Sequence, residues 1–212
     1  MAQSTTYPAS PGDLGNPRRA QILDAAERLL HHYGHAKTTV AEIAREAGVS
    51  VGSVYLEFEA KDAIWVELSH RRHDAVLAAI RGAANAPKKL YAQRLQAALV
   101  ARTRAFLALA ERGAHAAELV HCHACPAIRE AQEIYYRRER EIIAELLQEG
   151  HDAGEFAIKD PSATAAILLQ AFVAFVPPLL FTRAPDELER DVTALHQLLV
   201  HGLCRADPRL RS

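Results

Sequence analysis

The sequence predicts an all-α chain of about nine helices. Alanine and leucine are abundant while aromatic residues make up only 6%, and such strong helix formers meet few β-branched runs that would compete for strands. From Pro17 onward, apolar residues recur at helical spacing in every long segment. Glycine and proline mostly fall between those segments. With 212 residues, 50% hydrophobic and 24% charged, the chain can bury a core as one large domain or as a small domain fused to a larger one.

The first predicted helix starts at Pro17, a residue suited to the first helical position, with Asn16 as its cap. Ile22, Ala25, Ala26, Leu29, Leu30 and Tyr33 share its apolar face, and Gly34 ends it. Thr39 and Glu42 have capping-box spacing, so a short second helix follows and stops at Gly48. Ser50 caps a third short helix, about 51–57. Lys61 and Asp62 open a fourth, which runs to about Gly82. Asn85-Ala86-Pro87 is a break. A fifth helix spans Lys88 to about Arg112, and a short sixth lies between Gly113 and about Cys122. Pro126 opens a seventh that reaches about Gly150. A turn at Gly154-Glu155-Phe156 precedes an eighth, Pro161 to about Phe181, kinked at Pro177-Pro178 because neither proline can donate a ladder bond. The ninth covers Asp186 to about Arg205.

Several function classes fall away. The longest apolar run, 163–181, is interrupted by Thr164, Gln170, Pro177 and Pro178, so no membrane span is expected. Residues 1–16 are polar and hold Pro8, Pro11, Gly12 and Gly15; they read as a flexible tail, not a signal peptide. Three irregularly spaced cysteines argue against a disulfide framework and for a reducing cytoplasm. There is no G-x-S-x-G, phosphate-binding loop, H-E-x-x-H or dinucleotide fingerprint, so an enzyme is not expected and no cofactor is implied. The net charge of -1 neither favours nor excludes nucleic acid, because one face can be basic while the whole chain is not.

The informative segment is T-V-A-E-I-A-R-E-A-G-V-S-V-G-S-V-Y-L-E-F-E-A-K, Thr39 to Lys61. It reads as two short helices joined by a tight turn at Gly48. Small Ala44 permits a close crossing, and Ile43, Val49 and Val54 supply a core between them. That is the pattern of a helix-turn-helix, whose second helix offers its N-terminal residues to base edges in the major groove. Read alone, the same pattern also fits a packing unit with Thr39 as cap and Tyr55 as core.

The segment resembles the DNA-binding domain of the TetR (tetracycline repressor) family. Thr39, Ile43-Ala44, Gly48-Val49-Ser50, Gly52, Tyr55, Phe58 and Lys61 stand in the register of that family's pattern. The upstream I-L-D-A-A-E-R-L-L with Tyr33-Gly34 matches as well. The later P-A-I-R-E and E-L-L-Q-E-G-H-D-A-G-E-F match more loosely. The resemblance implies that Thr39, Tyr55 and Lys61 contact phosphates, which positions a duplex without reading it. It implies that Ser50, Val51, Gly52 and Ser53 open the recognition helix, Ser53 bonding to a base and Val51 packing on a thymine methyl. Arg18 and Arg19 would reach the backbone or the adjacent minor groove. Val51 departs from the polar or basic residue frequent in relatives, and Glu57 and Glu59 bring negative charge near the expected DNA face. Up to Lys61 the acidic residues slightly outnumber the basic ones, so non-specific affinity should be modest.

The implied organisation is a tail (1–16), a three-helix DNA-binding domain (17–66) and a helical ligand-binding and dimerisation domain (67–212). The family pairs its last two helices with those of a second copy, which makes a homodimer on a palindromic operator. The run at 161–181 is apolar nearly all round, as a helix buried on several sides would be. It would equally suit a central helix in a monomer. A small-molecule effector is expected in the helical bundle, with Phe106, Leu109, Leu119, His123, Tyr135, Phe172 and Phe175 as candidate lining, each of which also reads as plain core. The function read from all this is a ligand-responsive transcriptional regulator, a repressor released from its operator by that effector. The alternative rests on H-C-H-A-C-P. His121, Cys122, His123 and Cys125 are soft donors that suit a metal or a thiol switch. No second ligand pair completes a four-ligand site.

Overall fold

The computed structural model describes residues 16–87, 89–110, 115 and 126–201. Among them are eight α-helices and no strand. They are α1 (Pro17–Lys37), α2 (Val40–Ala47), α3 (Val51–Glu57), α4 (Lys61–Ala84), α5 (Tyr91–Ala110), α6 (Pro126–Asp152), α7 (Pro161–Ala171) and α8 (Pro185–His201). The short helix predicted between Gly113 and Cys122 lies outside the described residues. No helix among the described residues is long and apolar enough to cross a membrane.

Two expectations need correction. The eighth predicted helix does not reach Phe181. It ends at Ala171 and gives way to 3₁₀ turns at Val173–Phe175 and Leu179–Thr182. Phe172 N bonds both Leu168 O and Leu169 O, each at 3.2 Å, which tightens the last turn. Val176, just before Pro177, is extended at φ -129°, ψ 164°, as the residue before a proline prefers. Tyr33, expected on the apolar face of α1, is 56% exposed. The buried apolar side chains of α1 end with Leu30, and Gly34 (φ 76°, ψ 163°) breaks the helix one residue after Tyr33.

The described chain forms two compact units. One holds the residues up to Ala78 with the described part of Ala105–Arg138; the other holds Ala79–Arg104 with Glu139 onward. The core of the first unit joins Ile22, Leu23 and Leu30 of α1, Ile43 of α2, Val54 of α3 and Phe58. Ile64, Trp65 and Leu68 of α4 and Ile128 of α6 complete it. Burial of this apolar set holds a seven-residue α3 that would be marginal by itself.

In the second unit a buried ion pair ties α5 to α6. Arg102 Nε and Nη2 donate to the two carboxylate oxygens of Glu139 at 2.6 and 3.0 Å, and Nη1 reaches the Phe172 carbonyl at 3.4 Å. Glu155 accepts from the N–H groups of Tyr91 and Ala92 at 2.8 and 2.7 Å, which satisfies free donors and places a carboxylate at the positive end of α5. Gly150 lies directly beneath the Phe156 ring, so that a Cβ there would stand 2.6 Å from Phe156 Cε2.

Candidate nucleic-acid interface

The segment from Thr39 to Lys61 is built by its caps. Thr39 Oγ1 accepts from Glu42 N at 3.2 Å, and the Glu42 carboxylate accepts from Thr39 N at 2.8 Å. The box is therefore complete in both directions. These bonds, with Arg45 and Lys61 nearby, hold the Glu42 carboxyl below its ordinary pKa. At the other end of α2, Gly48 takes the left-handed conformation (φ 67°, ψ 30°). Val49 N then reaches back to Ala44 O at 2.9 Å, a glycine-dependent stop that turns the chain into α3. Ser50 Oγ accepts from Ser53 N at 3.0 Å and lies 2.9 Å from Ser53 Oγ.

This local chemistry decides which way α3 faces. Val54 is buried against Ile43 and Ala44, and Phe58 closes the far end. The opposite side presents Val51 (42% exposed), Gly52, Tyr55 (53%) and Leu56 (81%) to solvent. Three large apolar side chains on so short a helix are more than the fold requires. Gly52 sits among them with a helical φ, and a Cβ there would touch nothing nearer than Ser50 Oγ at 3.8 Å. The protein itself therefore does not need a glycine at 52.

The candidate residues gather in the first unit. Thr39 and Ser50 are exposed caps, and Ser53 is half-buried. Arg18 is exposed in the first turn of α1. Lys61 is the first residue of α4, its Nζ 3.5 Å from the Ala36 carbonyl. Arg19 departs from expectation. Its guanidinium is bound to Glu67 and to the Glu57 carbonyl, and stacks 4.0 Å from the Phe58 ring centroid. Glu57 is likewise turned inward, its carboxylate accepting from Asn16 Nδ2 at 2.6 Å, while Glu59 is exposed.

Of the candidate lining residues, Phe106, Leu109 and Tyr135 are buried in the first unit, and Phe172 and Phe175 are buried in the second, their rings 5.7 Å apart. Leu119 and His123 lie outside the described residues, as do His121, Cys122 and Cys125. Among the described residues no group of three or more His, Cys, Asp or Glu could hold a metal ion. One neighbour of Tyr135 escaped the sequence reading. His73 stacks on its ring at 4.6 Å, with Phe106 edge-on at 5.9 Å. Burial holds the His73 imidazole down to about 3, helped by His70 and Arg72. The signal was available, because Trp65, Ser69, His73, Val76 and Ile80 recur at helical spacing and all are buried.

Residues 22–68 match the profile of bacterial regulatory proteins, tetR family, and residues 92–195 match that of the tetracyclin repressor-like C-terminal domain. The chain belongs to the TetR family. The N-terminal match contains Thr39, Ser50 to Ser53, Tyr55 and Lys61; Arg18 precedes it. The HTH-type transcriptional regulator TtgR of Pseudomonas putida is 42% identical over 59 residues, which are 26% of this chain and 28% of that protein. The similarity thus spans little more than a quarter of that curated relative's length. Over the whole fold, a transcriptional regulator of the TetR/AcrR family from Thermobifida fusca superposes with a TM-score of 0.68 at 27% identity, covering 90% of this chain and all of that one. The regulator FadR from Bacillus subtilis, solved in complex with stearoyl-CoA, shares the fold at a TM-score of 0.67 and 19% identity, covering 87% of this chain and 99% of that one.

Proposed function

We propose that this TetR-family chain is a transcriptional repressor that binds a palindromic DNA operator as a homodimer and is released by a small organic molecule. The observation that carries the reading is the α3 face. Its inner side is fixed by Val54 and Phe58, and its outer side offers Val51, Gly52 and Tyr55 around a glycine that the fold does not require. In this reading Val51, Gly52 and Ser53 approach base edges. Ser50 opens the recognition helix beside them, Thr39, Tyr55 and Lys61 hold phosphates, Lys61 adding its charge to the free amides at the start of α4, and Arg18 reaches the backbone or the adjacent minor groove.

Dimerisation is supported by apolar residues left open on the last two helices and the turns between them. They are Ile167, Val173 and Leu179, with Leu198 and Leu199 on α8. A second copy covering this face would give a two-fold interface and two recognition helices. The effector is read as an apolar or amphipathic molecule held in the helical ligand-binding domain, a class to which the stearoyl-CoA of the Bacillus subtilis neighbour belongs. Release requires that it bind the DNA-incompetent state more tightly, and linkage then makes DNA weaken effector binding by the same factor.

The test is binding of the purified full-length protein to DNA from upstream of its own gene and to a random-sequence duplex library, over a series of salt concentrations. Salt-sensitive binding to a two-fold site, lost in Tyr55→Ala and Lys61→Ala, is the expected result. Absence of binding at low salt to either DNA would overturn the reading. Equal effector affinity for free and operator-bound protein would overturn the release mechanism alone.

A further inference from the structure

Arg18 and Arg19 are adjacent in sequence, and both are candidates for reaching DNA. Their surroundings separate them. Arg18 is exposed, whereas the Arg19 side chain is engaged on three sides by its own protein. Arg19 Nε and Nη2 meet the two oxygens of the Glu67 carboxylate, the Nε bond measuring 2.9 Å. Nη1 donates to the main-chain carbonyl of Glu57, the last residue of α3. The flat face of the guanidinium lies over the Phe58 ring, 4.0 Å from its centroid. Only a guanidinium meets all three demands, since it has a planar fork of donors and a face that stacks. A lysine has neither.

The neighbouring pairs set the context. α1 and α4 are also joined by Arg71 to Asp24 at 2.8 Å and by Arg72 to Glu27 at 3.2 Å, with Arg71 and Arg72 buried. Those two pairs hold α4 against α1. Arg19 extends the seam to the end of α3. The carbonyl it binds belongs to the last turn of that helix, where acceptors have no partner within the helix. Beside it, Asn16 ties the Glu57 side chain to the start of α1.

We infer that Arg19 is a positioning residue for the recognition helix: it couples the end of α3 to Glu67 of α4, and it is not a phosphate contact. The inference rests on the reading of α3 as the DNA-reading helix, and it names what fixes that helix's orientation. It also assigns Glu67 a role with a counter-intuitive sign. By charge alone, removing a carboxylate near a DNA-binding unit strengthens binding. As Arg19's partner, Glu67 must instead be needed for binding.

The experiment compares Arg19→Lys, Arg19→Met and Glu67→Gln in the full-length protein. Duplex selected from the random library by the wild type is the probe. Both Arg19 variants and Glu67→Gln should weaken binding about five- to tenfold, the scale of one lost net hydrogen bond. The logarithmic salt slope should stay at the wild-type value, whereas Lys61→Ala lowers it by about one for each phosphate that the lysine no longer neutralises. Hydrogen exchange supplies a readout without DNA. The Phe58 amide, bonded to Val54 O at 2.9 Å, should exchange faster in Arg19→Met and Glu67→Gln. Wild-type binding by Arg19→Lys, tighter binding by Glu67→Gln, or a salt slope reduced by about one in Arg19→Met would overturn the inference. If the wild type binds no DNA, the reading of α3 fails, and the exchange rates still decide whether Arg19 holds that helix.

Discussion

Gly52→Ala separates what the fold needs from what the proposed interface needs. Gly52 has a helical φ in the first turn of α3, and the added methyl would meet only Ser50 Oγ, at 3.8 Å. No neighbour has to move. Alanine in a helix is worth about 0.5–1 kcal/mol over glycine, because the unfolded chain loses less freedom on folding. The variant should therefore be more stable by about that amount, read as a higher urea midpoint at unchanged slope. DNA affinity should move the opposite way. A methyl on the outward face, between Val51 and Tyr55, stands where a duplex would come closest. A weakening of about tenfold, or 1.4 kcal/mol, is expected in operator binding. Stability gained with affinity unchanged would refute the idea that outside approach selects this glycine. A drop in stability would refute the open space around it.

Other substitutions test the rest of the molecule. Arg102→Met or Glu139→Gln alone should cost about 3–5 kcal/mol in urea unfolding, since each leaves a buried charge without its partner, while the double apolar replacement should cost much less than the sum. For His73, the unfolded ring titrates near 6.5 and the folded one near 3. Its contribution is therefore intact above about pH 6.5 and is lost as pH falls through that window, about 2 kcal/mol of it by pH 5. His73→Phe keeps a ring against Tyr135, and its stability-against-pH curve should be flatter between pH 6.5 and 5; parallel curves would reject the buried neutral imidazole. Gly150→Ala should destabilise by about 1–3 kcal/mol, the usual cost of overpacking, because its Cβ would collide with the Phe156 ring. Ile167→Glu, at a residue 71% exposed, should leave helicity intact yet shift sedimentation toward monomer at micromolar protein; an unchanged dimer would move the interface elsewhere.

Local chemistry is what the sequence made readable. Capping at Asn16, Thr39 and Ser50 needs only residues three apart, and each cap stands where its spacing predicts. Gly34 and Gly48 likewise adopt the positive φ that a helix stop demands. Less legible was anything decided by partners far along the chain. Nothing near Tyr33 in sequence says that the buried side chains under α1 end at Leu30. The run at 161–181 has helical composition throughout, and the prolines act upstream of themselves, through Val176. The pairing of Arg19 with Glu67 spans 48 residues, so composition could only class it with Arg18. His73 was legible in the helical spacing of α4, though not its stacking on Tyr135.

The difference between Arg18 and Arg19 also bears on how such a chain selects DNA. The residues up to Lys61 carry slightly more acid than base, and Arg19 and Arg28 are both paired with carboxylates of the same unit, Glu67 and Glu46. In the proposed interface this leaves few cations for phosphates, so the sequence-independent part of binding should be small. A protein with a dense phosphate clamp tolerates a recognition helix that is slightly misplaced, because the backbone contacts hold it regardless. Here that reserve is thin. In the proposed function discrimination would come from close fit at α3, with an open surface at Gly52 and a helix whose far end is fixed. In that reading, an arginine committed to Glu57 and Glu67 rather than to phosphate would serve selectivity by fixing α3, with no added phosphate contact.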